Sequence, residues 1–150
     1  MKIAVCGWKS VVKGVYILAI SVNRSLNVKV CAQKSFSLGK GFYAYVGSAQ
    51  KGVEKRLIRH FRRACKKRFW HIDYLLAMDD VSVVKAFYKE AGKSEECVTA
   101  QVLKAVGSPV EGFGCSDCRC GSHLFGFNSL SHLEGACLKL GFKPFALPCQ

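Results

Sequence analysis

One junction limits the folds open to this chain more than any other feature. Phe42-Tyr43-Ala44-Tyr45-Val46 is a run of aromatic and β-branched residues with strand character, and it ends in a Gly47-Ser48 turn. Past that turn the apolar period changes. Val53, Leu57, Phe61 and Ala64 recur every three or four residues, the buried stripe of a helix over residues 51–68. The junction therefore joins a sheet to a helix and gathers a tyrosine, a flexible backbone, Arg56 and His60. Arg56 and His60 fall on one helical face, a turn apart. A rigid phenol beside a guanidinium suits a tetrahedral anion such as a phosphodiester.

The rest of the chain supplies a sheet and further helices. Residues 14–22 read as a strand, 23–27 as a turn and 28–32 as a returning strand. With 42–46 they predict a small antiparallel meander. Residues 70–78 read as a short helix or turn, and 81–88 as another strand. A helix over 95–106 closes at Gly107. A strand at 123–127 precedes a last helix at 129–140, with Leu130, Leu133, Cys137 and Leu140 facing inward. The expectation is one α+β domain over 1–150, a small antiparallel or mixed β-sheet flanked by helices. Hydrophobic residues make up 50% and charged residues 22%, which argues against disorder.

Charge bears on partners. Lys and Arg number 23 against 10 Asp and Glu, a net +13, and nucleic acid is the first candidate, DNA ahead of RNA. On the basic helix, Lys55, Arg59, Arg62, Arg63, Lys66 and Lys67 oppose the apolar stripe, with Glu54 the lone acid. Such a face predicts salt-dependent phosphate contact without sequence preference. No apolar run reaches the roughly 18–20 residues that span a bilayer. Lys9 and Lys13 break the N-terminal apolar stretch, so a secretory signal is not expected. An anionic membrane surface ranks second to nucleic acid for the charge, and no membrane partner is assigned. The chain reads as cytoplasmic, and its nine cysteines as reduced thiols in the core or on a metal.

Two further clusters admit more than one reading. In Trp70-His71-Ile72-Asp73-Tyr74, packing by Trp70, Ile72 and Leu75 leaves His71 and Asp73 to satisfy backbone groups. The functional reading makes His71 a general base or phosphate contact, and Asp73 its orienter or a metal ligand. Cys115, Cys118, Cys120 and His123 are zinc-ligand types, but one compact segment seldom supplies four tetrahedral ligands. A structural loop capped by Asp117 is the bland reading. A Cys nucleophile with His123 as base has nothing else to support it.

At three places the sequence resembles the GIY-YIG nuclease superfamily: Gly14-Val15-Tyr16, Tyr45-Val46-Gly47, and Arg56-Leu57-Ile58-Arg59-His60. It is similar, more closely still, to a small GIY-YIG-like domain family of unknown function, found alone or fused to endonuclease-III-type DNA repair enzymes. That likeness extends over KGVYIL, KGFYAYVGSA, RLIRHFR, FWHIDYLL and GFGCSDCRCGSHLF. An added hairpin at 21–35 accounts for the long separation of the two tyrosine triplets. The resemblance implies phosphodiester hydrolysis dependent on Mg2+ or Mn2+. Tyr16 and Tyr45 would orient or deprotonate the attacking water, Arg56 would stabilise developing negative charge, and His60 would assist proton transfer. A carboxylate would hold the cation, with Glu96 the candidate and Glu95 next. The implied activity is a DNA endonuclease in repair or processing. The alternative is a non-catalytic nucleic-acid-binding module that recruits a DNA repair enzyme as partner.

Overall fold

A computed structural model describes residues 12–30, 34–62, 68, 70–114 and 119–146. Strand β1 (Gly14–Val22) organises the molecule because its sequence, GVYILAISV, is apolar on both faces. An antiparallel partner runs along each edge: β4 (Gly41–Ala49) and β5 (Val81–Glu90). Short strands β6 (Ser108–Pro109), β7 (Leu124–Phe127) and β8 (Lys143–Pro144) complete a six-stranded antiparallel sheet of order β6-β7-β4-β1-β5-β8. The expected α+β class is the one found.

The pleat divides β1 between two cores. Tyr16, Leu18, Ile20 and Val22 meet α1 (Val53–Phe61), α2 (His71–Leu76) and a hairpin of β2 (Leu26–Val30) and β3 (Lys34–Leu38). Val15, Ile17 and Ala19 meet α3 (Ser94–Val106) and α4 (Leu130–Lys139). Each fully buried aliphatic side chain contributes about 1.5–3 kcal/mol, and β1 is covered by helices on both faces. Gly107 closes α3 by donating to Leu103 O, and Ser129 Oγ caps α4 by accepting from His132 N.

Two expectations need correction. The predicted meander does not form, because β1 pairs directly with β4, and β2 and β3 make a separate two-stranded sheet. That hairpin spans Leu26–Leu38 rather than 21–35, and Val28, Val30 and Leu38 tuck into the Tyr16 side of the core. The basic helix is also shorter than its charge pattern suggested. Arg62 is already extended at ψ 134°, so α1 ends at Phe61. Ala64, Arg63, Lys66 and Lys67, expected on its continuation, lie outside the described residues. No helix among the described residues is long and apolar enough to cross a membrane.

Candidate functional site

Strand register brings the two tyrosines together despite their separation in sequence. Tyr16 lies opposite Gly47, and Tyr45 lies opposite Leu18, so the two phenols are diagonal neighbours on one face. Their ring centres are 6.5 Å apart. Gly47 has a steric reason to be glycine, since a Cβ there would overlap the Tyr16 ring. The turn after β4 then starts α1 and delivers Arg56, whose Nη1 donates to Ser48 O at 3.0 Å. Its guanidinium stacks over the Trp70 ring, 4.5 Å from the centre. Around these groups opens a cleft of ≈ 730 Å³, with Tyr16, Tyr45, Arg56, Trp70, His71 and Glu96 in its wall. Lys51 and Lys93 also line it, so among the described residues cations outnumber the one carboxylate, Glu96.

His60, one turn from Arg56 on α1, is buried at 2% exposure. Its Nε2 lies 2.8 Å from the Tyr16 hydroxyl. Burial pushes the Tyr16 phenol well above its ordinary range, although the Arg56 guanidinium opposes that rise. Tyr45 is raised too, by burial and then by Tyr16 beside it. Both phenols therefore keep their protons at neutral pH, and Tyr16 donates to His60 Nε2 in the tautomer that leaves that nitrogen bare. Direct ionisation of either phenol is thus opposed.

His71 lies in the cleft wall, and its Nδ1 accepts the Gly114 N–H at 2.8 Å. The ring proton of the neutral form is thereby placed on Nε2, which makes His71 a donor rather than a base. Partial burial and then Lys34 lower its pKa, favouring that neutral form. Gly114 adopts φ +74°, and a Cβ there would press on Tyr45 at 3.1 Å and on His123 at 3.4 Å. Backbone from Gly114, not Asp73, orients the ring.

Asp73 is fully buried and forms a two-pronged pair with Arg59, at 2.8 Å and 3.1 Å. Its Oδ2 also accepts the Trp70 N–H at 3.0 Å, holding the start of α2. With both oxygens engaged and no exposed surface, Asp73 is a structural tie and not a cation ligand. The same pair corrects Arg59, which turns inward instead of joining the cationic face. Lys55 and Arg62 remain exposed as expected, and Lys51, Arg68 and Lys93 add to them.

On the opposite wall stands Glu96, one residue after Glu95. Glu95 pairs with Lys89 Nζ at 3.1 Å, while Glu96 faces the cleft. A carboxylate facing a cleft fits Mg2+ or Mn2+, which keep several waters as ligands. Glu96 Oε2 also lies 3.1 Å from His123 Nδ1. Burial depresses His123, but hydrogen bonding to Glu96 and Cys120 outweighs it and the net shift is upward. His123 and Cys120 come together with Cys97, their donor atoms all within 4.8 Å of one another. Cys115 and Cys118 of the expected cluster lie outside the described residues. Sequence reasoning missed Cys97 because it sits on α3, far along the chain from the others. Its only signal was adjacency to Glu96.

A family model for a domain of unknown function, DUF123, matches residues 15–143, and the chain belongs to that family. No curated protein and no solved structure matches it.

Proposed function

We propose that this member of the DUF123 family is a metal-dependent endonuclease of the GIY-YIG kind, acting on DNA in repair or processing. The observation that carries the reading is the convergence of Tyr16, Tyr45, Arg56, His71 and Glu96 on one cleft. The cationic wall formed by Lys51, Arg56 and Lys93 suits a phosphodiester. Arg56 is placed to hold the charge that builds on the phosphoryl oxygens. Tyr45 and Tyr16 orient the attacking water. As that water gives its proton to the Tyr16 oxygen, the phenol proton passes to His60 Nε2, so no free phenolate is needed. The Nε2–H of neutral His71 is a hydrogen-bond donor to the departing oxygen, which takes its proton from solvent. A hard divalent cation on Glu96, when bound, supplies charge neutralisation at the phosphate.

The test presents flap, junction, nicked and plain duplex DNA, and RNA, to the protein in Mg2+ or Mn2+, with and without EDTA. Expected is EDTA-sensitive cleavage of at least one substrate, falling about 10²–10³-fold in Arg56→Ala, with circular dichroism unchanged. Cleavage at an undiminished rate by that variant overturns the reading.

Binding without turnover is the second reading, and Trp70 favours it. Its ring is 38% exposed and carries the Arg56 and Arg59 guanidinium groups over it, a cationic aromatic surface that suits a nucleic-acid backbone. Salt-dependent binding with no cleavage of any of these substrates would support this module, which would bring a repair enzyme to nucleic acid.

A further inference from the structure

We propose that Cys97, Cys120 and His123 form a zinc site, with Glu96 as the carboxylate that orients the ligating histidine. The three donor atoms lie within 4.8 Å of one another, and they come from two separate elements, α3 and the loop before β7. Tetrahedral zinc with Zn–S near 2.3 Å sets its ligands roughly 3.5–3.8 Å apart, so closing on the ion needs movements of about an ångström. Donor chemistry selects the metal class. Two thiolates and an imidazole suit zinc, whereas magnesium, manganese and calcium prefer oxygen. This site is therefore distinct from a hard cation held by Glu96 in the cleft.

The surroundings are those of a ligating histidine. His123 Nδ1 faces Glu96 Oε2 at 3.1 Å, leaving Nε2 for the metal, and a carboxylate on the second nitrogen commonly fixes such a ring. The backbone on either side is anchored as well. His123 N donates to Phe113 O at 2.8 Å, and Val46 N donates to His123 O at 2.9 Å. Cys120 and His123 are buried and Cys97 half-buried, so the ion would sit inside the wall, with three of its ligands among the described residues. Cys137 provides a contrast. It is buried among Leu133, Phe142 and other apolar groups, and no His or acid joins it in a metal-ligand group among the described residues. Zinc at Cys97, Cys120 and His123 would tie α3, which carries Glu96, to the loop that carries Gly114. It would thus brace two walls of the cleft without taking part in a reaction there.

Elemental analysis of the full chain from zinc-supplemented cultures is the first test. About one zinc per chain is expected in the native protein and in Cys137→Ala, falling to under about a tenth in Cys97→Ser and Cys120→Ser. Less than about half an equivalent in the native protein overturns the site, and so does a full equivalent retained by Cys97→Ser. Should those variants fail to fold, the native chain decides. Cobalt added to chelator-treated protein is expected to give a thiolate-to-cobalt absorption band, and zinc to protect Cys97 and Cys120 from alkylation. Equal alkylation of Cys97 with and without zinc overturns the proposal. Each readout omits nucleic acid, so a failed cleavage assay and a failed zinc site are separate results.

Discussion

β1 sends Tyr16, Leu18 and Ile20 to one side of the sheet and Val15, Ile17 and Ala19 to the other, where they meet very different company. On the far side, α3 and α4 contribute Ala100, Leu103, Leu133 and Cys137 to an aliphatic and aromatic core. On the near side, short helices bring in His60 and Asp73, both buried, beside Tyr16 and Tyr45. Apolar contacts tolerate approximate fit, but buried polar groups need their partners in place. The near side is thus held by pairings: Tyr16 with His60, Asp73 with Arg59, Gly114 with His71. Those pairings also fix the cleft wall. In this molecule the demand for polar satisfaction and the positioning of the site are met by the same bonds.

The most severe way to break the near side is Arg59→Ala. It leaves the Asp73 carboxylate buried without its guanidinium, which is expected to cost about 3–5 kcal/mol of stability, read by urea unfolding. Replacing both partners, Arg59→Met with Asp73→Leu, is expected to recover most of that loss. A single variant that unfolds with native stability would show that water reaches Asp73 and that the pair is not structural.

How much of this was legible in the residues depends on whether local pattern or long-range register decides a position. β1, α3 and α4 were readable because apolar periodicity is written into contiguous sequence and tertiary packing agrees with it. Tyr16, Tyr45 and Arg56 meet as their motifs suggest, since adjacent antiparallel strands bring them together whatever length of chain intervenes. The hairpin's separate sheet was not readable. Strand pattern puts a strand at 28–32, overlapping the observed Leu26–Val30, but does not name its neighbour. The inward turn of Arg59 was equally hidden, because its partner Asp73 belongs to the next helix and charge counting places every arginine on the surface. Cys97 joined His123 only once α3 was laid against the loop before β7.

A paired comparison sharpens the contrast between the faces. Tyr16→Phe removes the hydroxyl partner of His60 Nε2 inside the near side, with an expected cost of about 1–3 kcal/mol. If the proposed function holds, cleavage falls as well, because the proton path through that hydroxyl is gone. Ile17→Val, one residue along and on the far side, is expected to cost about 0.5–1.5 kcal/mol and to leave cleavage by the folded protein unchanged. Thermal unfolding and a single-turnover assay on both variants check this. Equal loss of activity in the two would mean that the sheet transmits packing changes across its thickness, and the division of labour would fail.

The smallest expected effect is a pH dependence, because His71 is only partly buried and water screens it. Burial and Lys34 hold its pKa below the usual 6.5 in the folded chain. The unfolded chain therefore takes up the proton more readily, and His71 favours folding fully only above about pH 6.5. That contribution is lost as pH falls through 6.5 towards the folded value. His71→Gln keeps an acceptor for Gly114 N–H but does not titrate there. Chemical unfolding at pH 7.5 and pH 5.5 should therefore show native protein losing more stability than the variant over that interval. The difference between the two curves cancels contributions from every other histidine. A native protein that instead gained on the variant at low pH would mean that the fold prefers protonated His71. Its Nδ1 could not then accept from Gly114, and the assignment of Nε2–H as a donor into the cleft would be wrong.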